Sequence, residues 1–225
     1  PVRSRYIGEV GDLVVGRVTS VDSKRWKVDV GAQREAVLQL SSVTLPGGEQ
    51  RLRTYEDQLQ MRSLFQEGDL VCAEVQMVSA DGLLHLHTRS LKYGLLENGQ
   101  LVTVPANLMK RLPQHHVSLP CGMDVILRRN GGVWISRTVP EDWRREIGGD
   151  SQTGLAPLAE TLQFLRNRHR DTPLSKEQLL VAARVQNAVR CLSRRGCVVT
   201  PEALLCVFSR SVELALQPKD MLLEA

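Results

Sequence analysis

The sequence has no apolar run approaching the ~18–20 residues needed to cross a bilayer as a helix, so a membrane-spanning helix is excluded. Its five cysteines (Cys72, Cys121, Cys191, Cys197, Cys206) are an odd number and contain no C-x-x-C pair. A disulfide framework and a cysteine zinc site are therefore not expected, and a reducing compartment fits better. G-x-S-x-G, a P-loop, H-E-x-x-H and a Rossmann glycine run are all absent. Clustered carboxylates, which a metal-dependent nuclease needs, are absent too, so the expectation is no enzyme, no cofactor and no metal. There is no internal repeat and no low-complexity tract. The chain starts at Pro1 with no charged-then-apolar leader, and is expected to be a fragment or a processed form.

What is present is ordinary for a folded protein. Hydrophobic residues make up 42% and charged residues 24% of 225 residues, enough chain for one large domain or two small ones. The net charge of +4 is unevenly spread: residues 1–90 carry 11 basic and 12 acidic side chains, residues 91–225 carry 18 and 13. This permits a polyanionic partner without requiring one.

The first ninety residues read as strands. Val10–Val18 is rich in β-branched residues; Trp26, Val28 and Val30 alternate with polar neighbours; Arg34–Leu40 follows a turn at Gly31. A polar stretch around Pro46-Gly47-Gly48 leads to Thr54, which with Asp57 can cap a short helix over Tyr55–Phe65. Leu70–Val78 and Leu84–Thr88 then flank an Asp81-Gly82 hairpin turn. Five strands with a helix between the third and fourth is the order of a small closed OB barrel.

The second half changes period. Residues 99–104 and 124–136 are strand-like, and 141–157 reads as a polar loop or insertion. Ser175-Lys-Glu-Gln178 is a capping box. Val181, Val185, Ala188, Val189 and Leu192 form an apolar stripe at helical spacing, with Arg184, Asn187, Arg190 and Arg194 on the polar side and Gly196 as the stop. Thr200-Pro201 opens a last helix running to about Gln217. The chain thus divides into a barrel over 1–90 and an α+β domain with C-terminal helices over 91–225.

Few side chains suggest chemistry. Gly8, Gly11 and Gly16 are spaced for turns and a barrel bend rather than for phosphate. His85 and His87 share a strand face but have no third ligand nearby, and His115-His116 read as loop residues. Cys121, between Pro120 and Gly122, reads as a turn cysteine. OB barrels bind single strands by joining a basic groove to aromatic faces on which bases stack. Lys24-Arg25-Trp26 could supply both, the alternative being that Trp26 is buried with Val28 and Val30. Arg51, Arg53 and Arg62 could extend a phosphate track. Arg128-Arg129-Asn130-Gly131-Gly132 lies between strand-like flanks, so Asn130-Gly131 reads first as a hairpin turn with both residues at positive φ. The adjacent Arg128 and Arg129 remain phosphate candidates.

Several segments together resemble a known family. Arg5–Val18, Lys24–Val28, Leu40–Gly48, Gln66–Asp69 and His87–Gly94 resemble the S1 domain of RNA exosome cap subunits of the ribosomal-RNA-processing-four type. Leu119–Gly122 and Asn130–Ile135 resemble that family's KH domain. The similarity is dense over 5–140 and weak afterwards. It implies an S1 barrel followed by a KH-type domain, in a cap subunit with no catalytic centre. It also implies as partners single-stranded RNA, the ring of RNase PH-like subunits, the other caps and an associated 3′→5′ exonuclease, with no membrane. The setting it implies is the nucleus and nucleolus, and also the cytoplasm. Two departures stand out. The family's N-terminal domain has almost no counterpart in this chain, and its G-x-N-G motif has Arg128 in place of the first glycine, followed by Arg129, Asn130 and Gly131.

Overall fold

The computed structural model describes residues 5–44, 53–90, 93–112, 114–139, 167–168 and 170–222. The chain separates into two compact units. One comprises Ile7–Glu97 with Val139–Thr172; the other comprises Pro1–Tyr6, Asn98–Thr138 and Pro173–Ala225.

The first unit is built on five strands, β1 (Leu13–Val21), β2 (Arg25–Asp29), β3 (Ala36–Val43), β4 (Leu70–Val78) and β5 (Leu84–Thr88), with a two-residue β6 (Gly94–Leu95) added to β4. The sheet runs β1-β2-β3-β5-β4 and β4 returns to β1, so the barrel closes. All pairings are antiparallel except β3 with β5, which is the parallel contact that the barrel topology requires. β1 starts later than the composition suggests, because Glu9–Asp12 is a turn: Gly11 has φ +84° and the Glu9 N–H donates to buried Asp12 at 3.2 Å. Gly16 serves the close approach of β1 to its neighbour, since a Cβ there would lie 2.4 Å from Val28 Cγ1.

Alternation decides the core. Trp26, Val28 and Val30 all point inward and are at most 2% exposed. The expected helix over Tyr55–Phe65 is two short ones, α1 (Tyr55–Leu59) and α2 (Met61–Leu64), broken at Gln60; the Thr54/Asp57 capping box forms as expected. Met61 and Phe65 close the barrel end, and the Trp26 indole N–H donates to the Phe65 carbonyl at 3.0 Å while the rings meet edge-on at 5.3 Å. Burying a ring of ~200 Å² at ~25 cal/mol/Å² contributes roughly 5 kcal/mol before entropy. Trp26 is thus a keystone of the barrel.

The second unit has four antiparallel strands, β7 (Gly99–Thr103), β8 (His116–Leu119), β9 (Met123–Leu127) and β10 (Gly132–Arg137), in the order β7-β10-β9-β8. β8 is a strand where loop residues were expected. Val117 and Leu119 alternate with His116 and Ser118 and pack toward the core, but at four residues the alternation is too short to stand out, and pairing with β9 completes it. The helix α3 (Lys176–Arg194) packs on β7 and β10 and carries α4 (Pro201–Glu213) beside it. Val102, Val125, Val133 and Ile135 meet Ala182, Val185, Val189 and Leu192 in one core.

Both helices begin and end at legible signals. Ser175 and Gln178 form the capping box, and Thr200 Oγ1 accepts the Ala203 N–H at 3.2 Å. Gly196, at φ +67°, lets the Cys197 N–H reach back to the Leu192 carbonyl and ends α3. α4 stops before Gln217 because Ala215 takes φ +52° and the Leu216 N–H bonds Ser211. The chain then folds back along α3. Asn187, on the polar side of the helix by spacing, is nevertheless buried, and its Nδ2 donates to the Pro218 carbonyl at 2.6 Å. The expected loop at 141–157 lies outside the described residues.

Candidate nucleic-acid interface

The β1–β2 turn brings two adjacent cations to the barrel surface. The Asp22 N–H bonds Arg25 and the Leu40 N–H bonds Lys24, so the turn is fixed to β3 by backbone alone. Arg25 stands opposite Gln39 across the β2–β3 ladder, and Ser41 follows two residues on, so all three face outward together. Arg53 and Gln58 form the facing wall. Lys24, Arg25, Gln39, Leu40, Ser41, Arg53 and Gln58 line a cleft of roughly 320 Å³.

The three cations of the cleft differ in what holds them. Lys24 is exposed and, among the described residues, has no carboxylate partner. Arg25 is exposed and pairs with Asp22 at 2.9 Å, a surface contact worth about 0–1 kcal/mol that a phosphate can displace. Arg53 is half-buried; its Nε donates to the Leu40 carbonyl at 3.1 Å and its Nη2 to the Val43 carbonyl. Its charge reaches the cleft while those donors fasten the chain before α1 to the end of β3.

The remaining sequence candidates part from this group. Trp26 is fully buried and is withdrawn as a stacking surface, because its ring and its N–H are both committed to Phe65. Arg62 is exposed on α2 and bonded twice to Glu67, at 2.7 and 3.2 Å; the pair raises the arginine pKa and lowers that of the glutamate. Arg51 lies outside the described residues.

In the second unit, Arg128 is withdrawn as a phosphate contact, being 0% exposed with Nη2 bonded to His116 Nε2 at 3.0 Å. Arg129 is half-buried and donates to the Met109 carbonyl at 2.9 Å. Asn130 and Gly131 do form the β9–β10 turn, but only Gly131 has positive φ (+86°). The Gly131 N–H bonds Arg128 and the Arg128 N–H bonds Gly132, giving a three-residue loop ending in a left-handed glycine in place of a two-residue Asn-Gly turn. The α3–α4 connection, Arg195–Thr200, has no G-x-x-G.

The histidines serve local geometry. His85 Nε2 meets Ser79 Oγ at 2.9 Å. His87 Nε2 lies 3.9 Å from Glu74, whose carboxylate accepts the Tyr93 hydroxyl at 3.1 Å. Cys121 is half-buried in the β8–β9 turn, and burial raises its thiol pKa. Sequence reasoning missed Gln39, Ser41 and Gln58; the register that sets Gln39 opposite Arg25 is the signal that could have found the first.

Comparison with known proteins agrees with this architecture. The profile of the RRP4 S1 domain matches residues 5–77, and a KH domain profile matches residues 99–141. Exosome complex component RRP4 of Mus musculus is 44% identical over 221 residues, covering 98% of this chain and 69% of that protein. The chain belongs to the exosome RRP4 family. The Saccharomyces cerevisiae RRP4 component is 49% identical over 229 residues, covering 94% of this chain and 64% of the relative. The alignments to the mouse and budding-yeast relatives extend through α3 and α4, whereas the Schizosaccharomyces pombe component matches at 54% identity over 137 residues, 61% of this chain.

Proposed function

We propose that this chain is a non-catalytic RNA-path subunit of the exosome cap. On this reading it guides single-stranded RNA toward a 3′→5′ exonuclease and stabilises the assembly. Its partners are RNase PH-like ring subunits and the other caps, and its setting is ribosomal-RNA maturation and RNA turnover in nucleus, nucleolus and cytoplasm. The relatives' names supply the complex, and S1 and KH domains are RNA-binding rather than catalytic types. The observation that supports the route is the barrel cleft with Lys24, Arg25 and Arg53 on its walls and, among the described residues, no aromatic ring lining it. Such a surface holds a strand by its phosphates, so affinity is indifferent to base identity and steep in salt. The inward commitment of Arg128 and Arg129 favours the barrel over the second unit as the RNA-facing part.

The test is oligoribonucleotide binding across a salt series, with the full chain and with the assembled complex. Lys24→Ala with Arg25→Ala is expected to weaken binding and lower the log–log salt slope by about 1.4, at about 0.7 per phosphate contact on a single strand. An unchanged slope, crosslinks to RNA absent from residues 5–90, or shortening of the RNA by the isolated chain overturns the reading.

A further inference from the structure

The barrel cleft carries cations on its walls, and an aromatic ring stands beside it. Arg53 and Gln58 form one wall. Between them in sequence α1 begins at Tyr55, which is 72% exposed. Helical side chains three residues apart share a face, and they lean toward the start of their helix. Tyr55 therefore lies on the Gln58 side of α1 and leans over the Arg53–Thr54 segment, next to the cleft without lining it.

Nothing in the barrel core accounts for this tyrosine. α1 buries none of its residues, and Leu59, one turn further on, is 69% exposed. The ring contacts of the barrel join Trp26 to Phe65 and His87 to Tyr93; among the described residues Tyr55 takes no hydrogen bond or ring contact. The Thr54–Asp57 capping box sets the helix, so the residue is held in place while its ring stays in solvent. The acidic residues of α1 do not share that position. Asp57 turns back to accept the Thr54 N–H at 2.8 Å, and Glu56 lies about 100° round the helix. The charge that recruits a polyanion here is that of Lys24, which is exposed and has no carboxylate partner among the described residues.

We infer that Tyr55 is a base-stacking platform at the edge of the barrel cleft: a single strand with a phosphate at Lys24 lays a neighbouring base on the Tyr55 ring. This rests on the proposed RNA path and adds to it a contact of a different kind. The face of a tyrosine accepts any base, so stacking raises affinity without reading sequence. Stacking neutralises no phosphate and releases no counterion, so its share of the affinity is independent of salt.

The test uses the full chain and a fluorescent oligoriboadenylate of about 10 nucleotides, within the span of one OB-type barrel. Tyr55→Ala is expected to weaken binding about five- to fiftyfold at every salt concentration, with the log–log salt slope unchanged. Tyr55→Phe should bind as the wild type does, and Tyr55→Leu as Tyr55→Ala does, because the π-face carries the contact. On a strand of equal length with every base removed, wild type and Tyr55→Ala should bind alike. The position is exposed, so all three variants should keep the wild-type melting temperature. Equal affinity of wild type and Tyr55→Ala for the oligoriboadenylate, in a chain whose salt slope still falls with Lys24→Ala and Arg25→Ala, overturns the inference and leaves the RNA path standing. A loss that extends to the abasic strand overturns it as well, as does a Tyr55→Phe loss equal to that of Tyr55→Ala, which would assign the contact to the hydroxyl. Normal RNA affinity with failure of Tyr55→Ala to join the reconstituted complex would make Tyr55 and Leu59 a protein contact, again overturning it. If the wild-type chain binds no RNA, the path itself falls and this contact with it.

Discussion

Replacing Gly131 by alanine is expected to destabilise the second unit by about 3–4 kcal/mol, while the same change at Gly122 costs about 1 kcal/mol. Both glycines have positive φ, +86° and +78°, so both carry the torsional penalty of a side chain in the left-handed region, about 1–2 kcal/mol. They differ in what a Cβ would meet. At Gly122 nothing lies within 4 Å; at Gly131 the Cβ would stand 2.0 Å from the Val104 carbonyl oxygen. That oxygen belongs to the backbone and cannot rotate away. Relief requires the β9–β10 turn to move off β7, which breaks the 2.9 Å bond from the Val104 N–H to the Gly131 carbonyl. Gly131 is itself buried, so a lost partner there adds about 1–3 kcal/mol. Calorimetry of the full chain should show the second unit's transition lowered by roughly 12 °C or more, at about 4–8 °C per kcal/mol for a unit of this size. Hydrogen exchange at β9 and β10 amides should localise the loss. If Gly131→Ala matched Gly122→Ala within about 1 kcal/mol, the clash argument would be wrong. Loss of RNA affinity at unchanged stability would be worse for it, since that is the signature of a nucleotide clamp and not of a packed turn.

Two further outcomes follow from burial. Trp26→Phe is expected to cost about 2–3 kcal/mol of barrel stability, from lost ring area and a Phe65 carbonyl left without its donor, with RNA affinity per folded molecule unchanged; lost affinity at wild-type melting temperature would return Trp26 to a binding role. Maleimide labelling should modify Cys197 and Cys206 first, Cys121 and Cys191 more slowly, and Cys72 only on unfolding. Burial raises the Cys121 and Cys191 thiol pKa values and so lowers their thiolate fraction at any given pH. Because the folded values are raised, their stabilising contribution is complete below the unfolded thiol value near ~8.5 and is lost as pH climbs through the folded one. Equal reaction of Cys121 and Cys206 at pH 8 would contradict that order.

The barrel was legible because its signals are local and mutually consistent. Alternation at Trp26, Val28 and Val30 fixes a face, Asp81-Gly82 fixes a hairpin, and Thr54 with Asp57 fixes a helix start. The helices of the second unit were legible for the same reason, through Ser175, Gly196 and Thr200. What sequence supplied least was elements too short or set by distant contacts. β8 alternates over only four residues, and α4 shortens because Ala215 adopts a conformation its side chain disfavours so that residues 218–222 can pack on α3. Asn187 sits on a polar stripe by spacing, yet the returning chain covers it.

The candidate site was less legible, because a cation's role depends on which oxygen its guanidinium finds across the fold. Arg25 and Arg53 look alike in sequence, both beside strands and both near polar loops. One meets an aspartate three residues away on the open surface; the other reaches back ten and thirteen residues to two carbonyls of β3. On the proposed RNA path, charge reversal at Arg25 is therefore expected to remove a phosphate contact, whereas charge reversal at Arg53 sets a carboxylate against two carbonyl oxygens and unfastens the segment leading to α1. The same logic separates Arg62, held by Glu67 on the surface, from Arg128, enclosed with His116. A basic residue count is thus a poor guide to an RNA surface. The useful quantity is how many cations keep their donors turned to water, and in the barrel cleft those are Lys24 and, once Asp22 yields, Arg25.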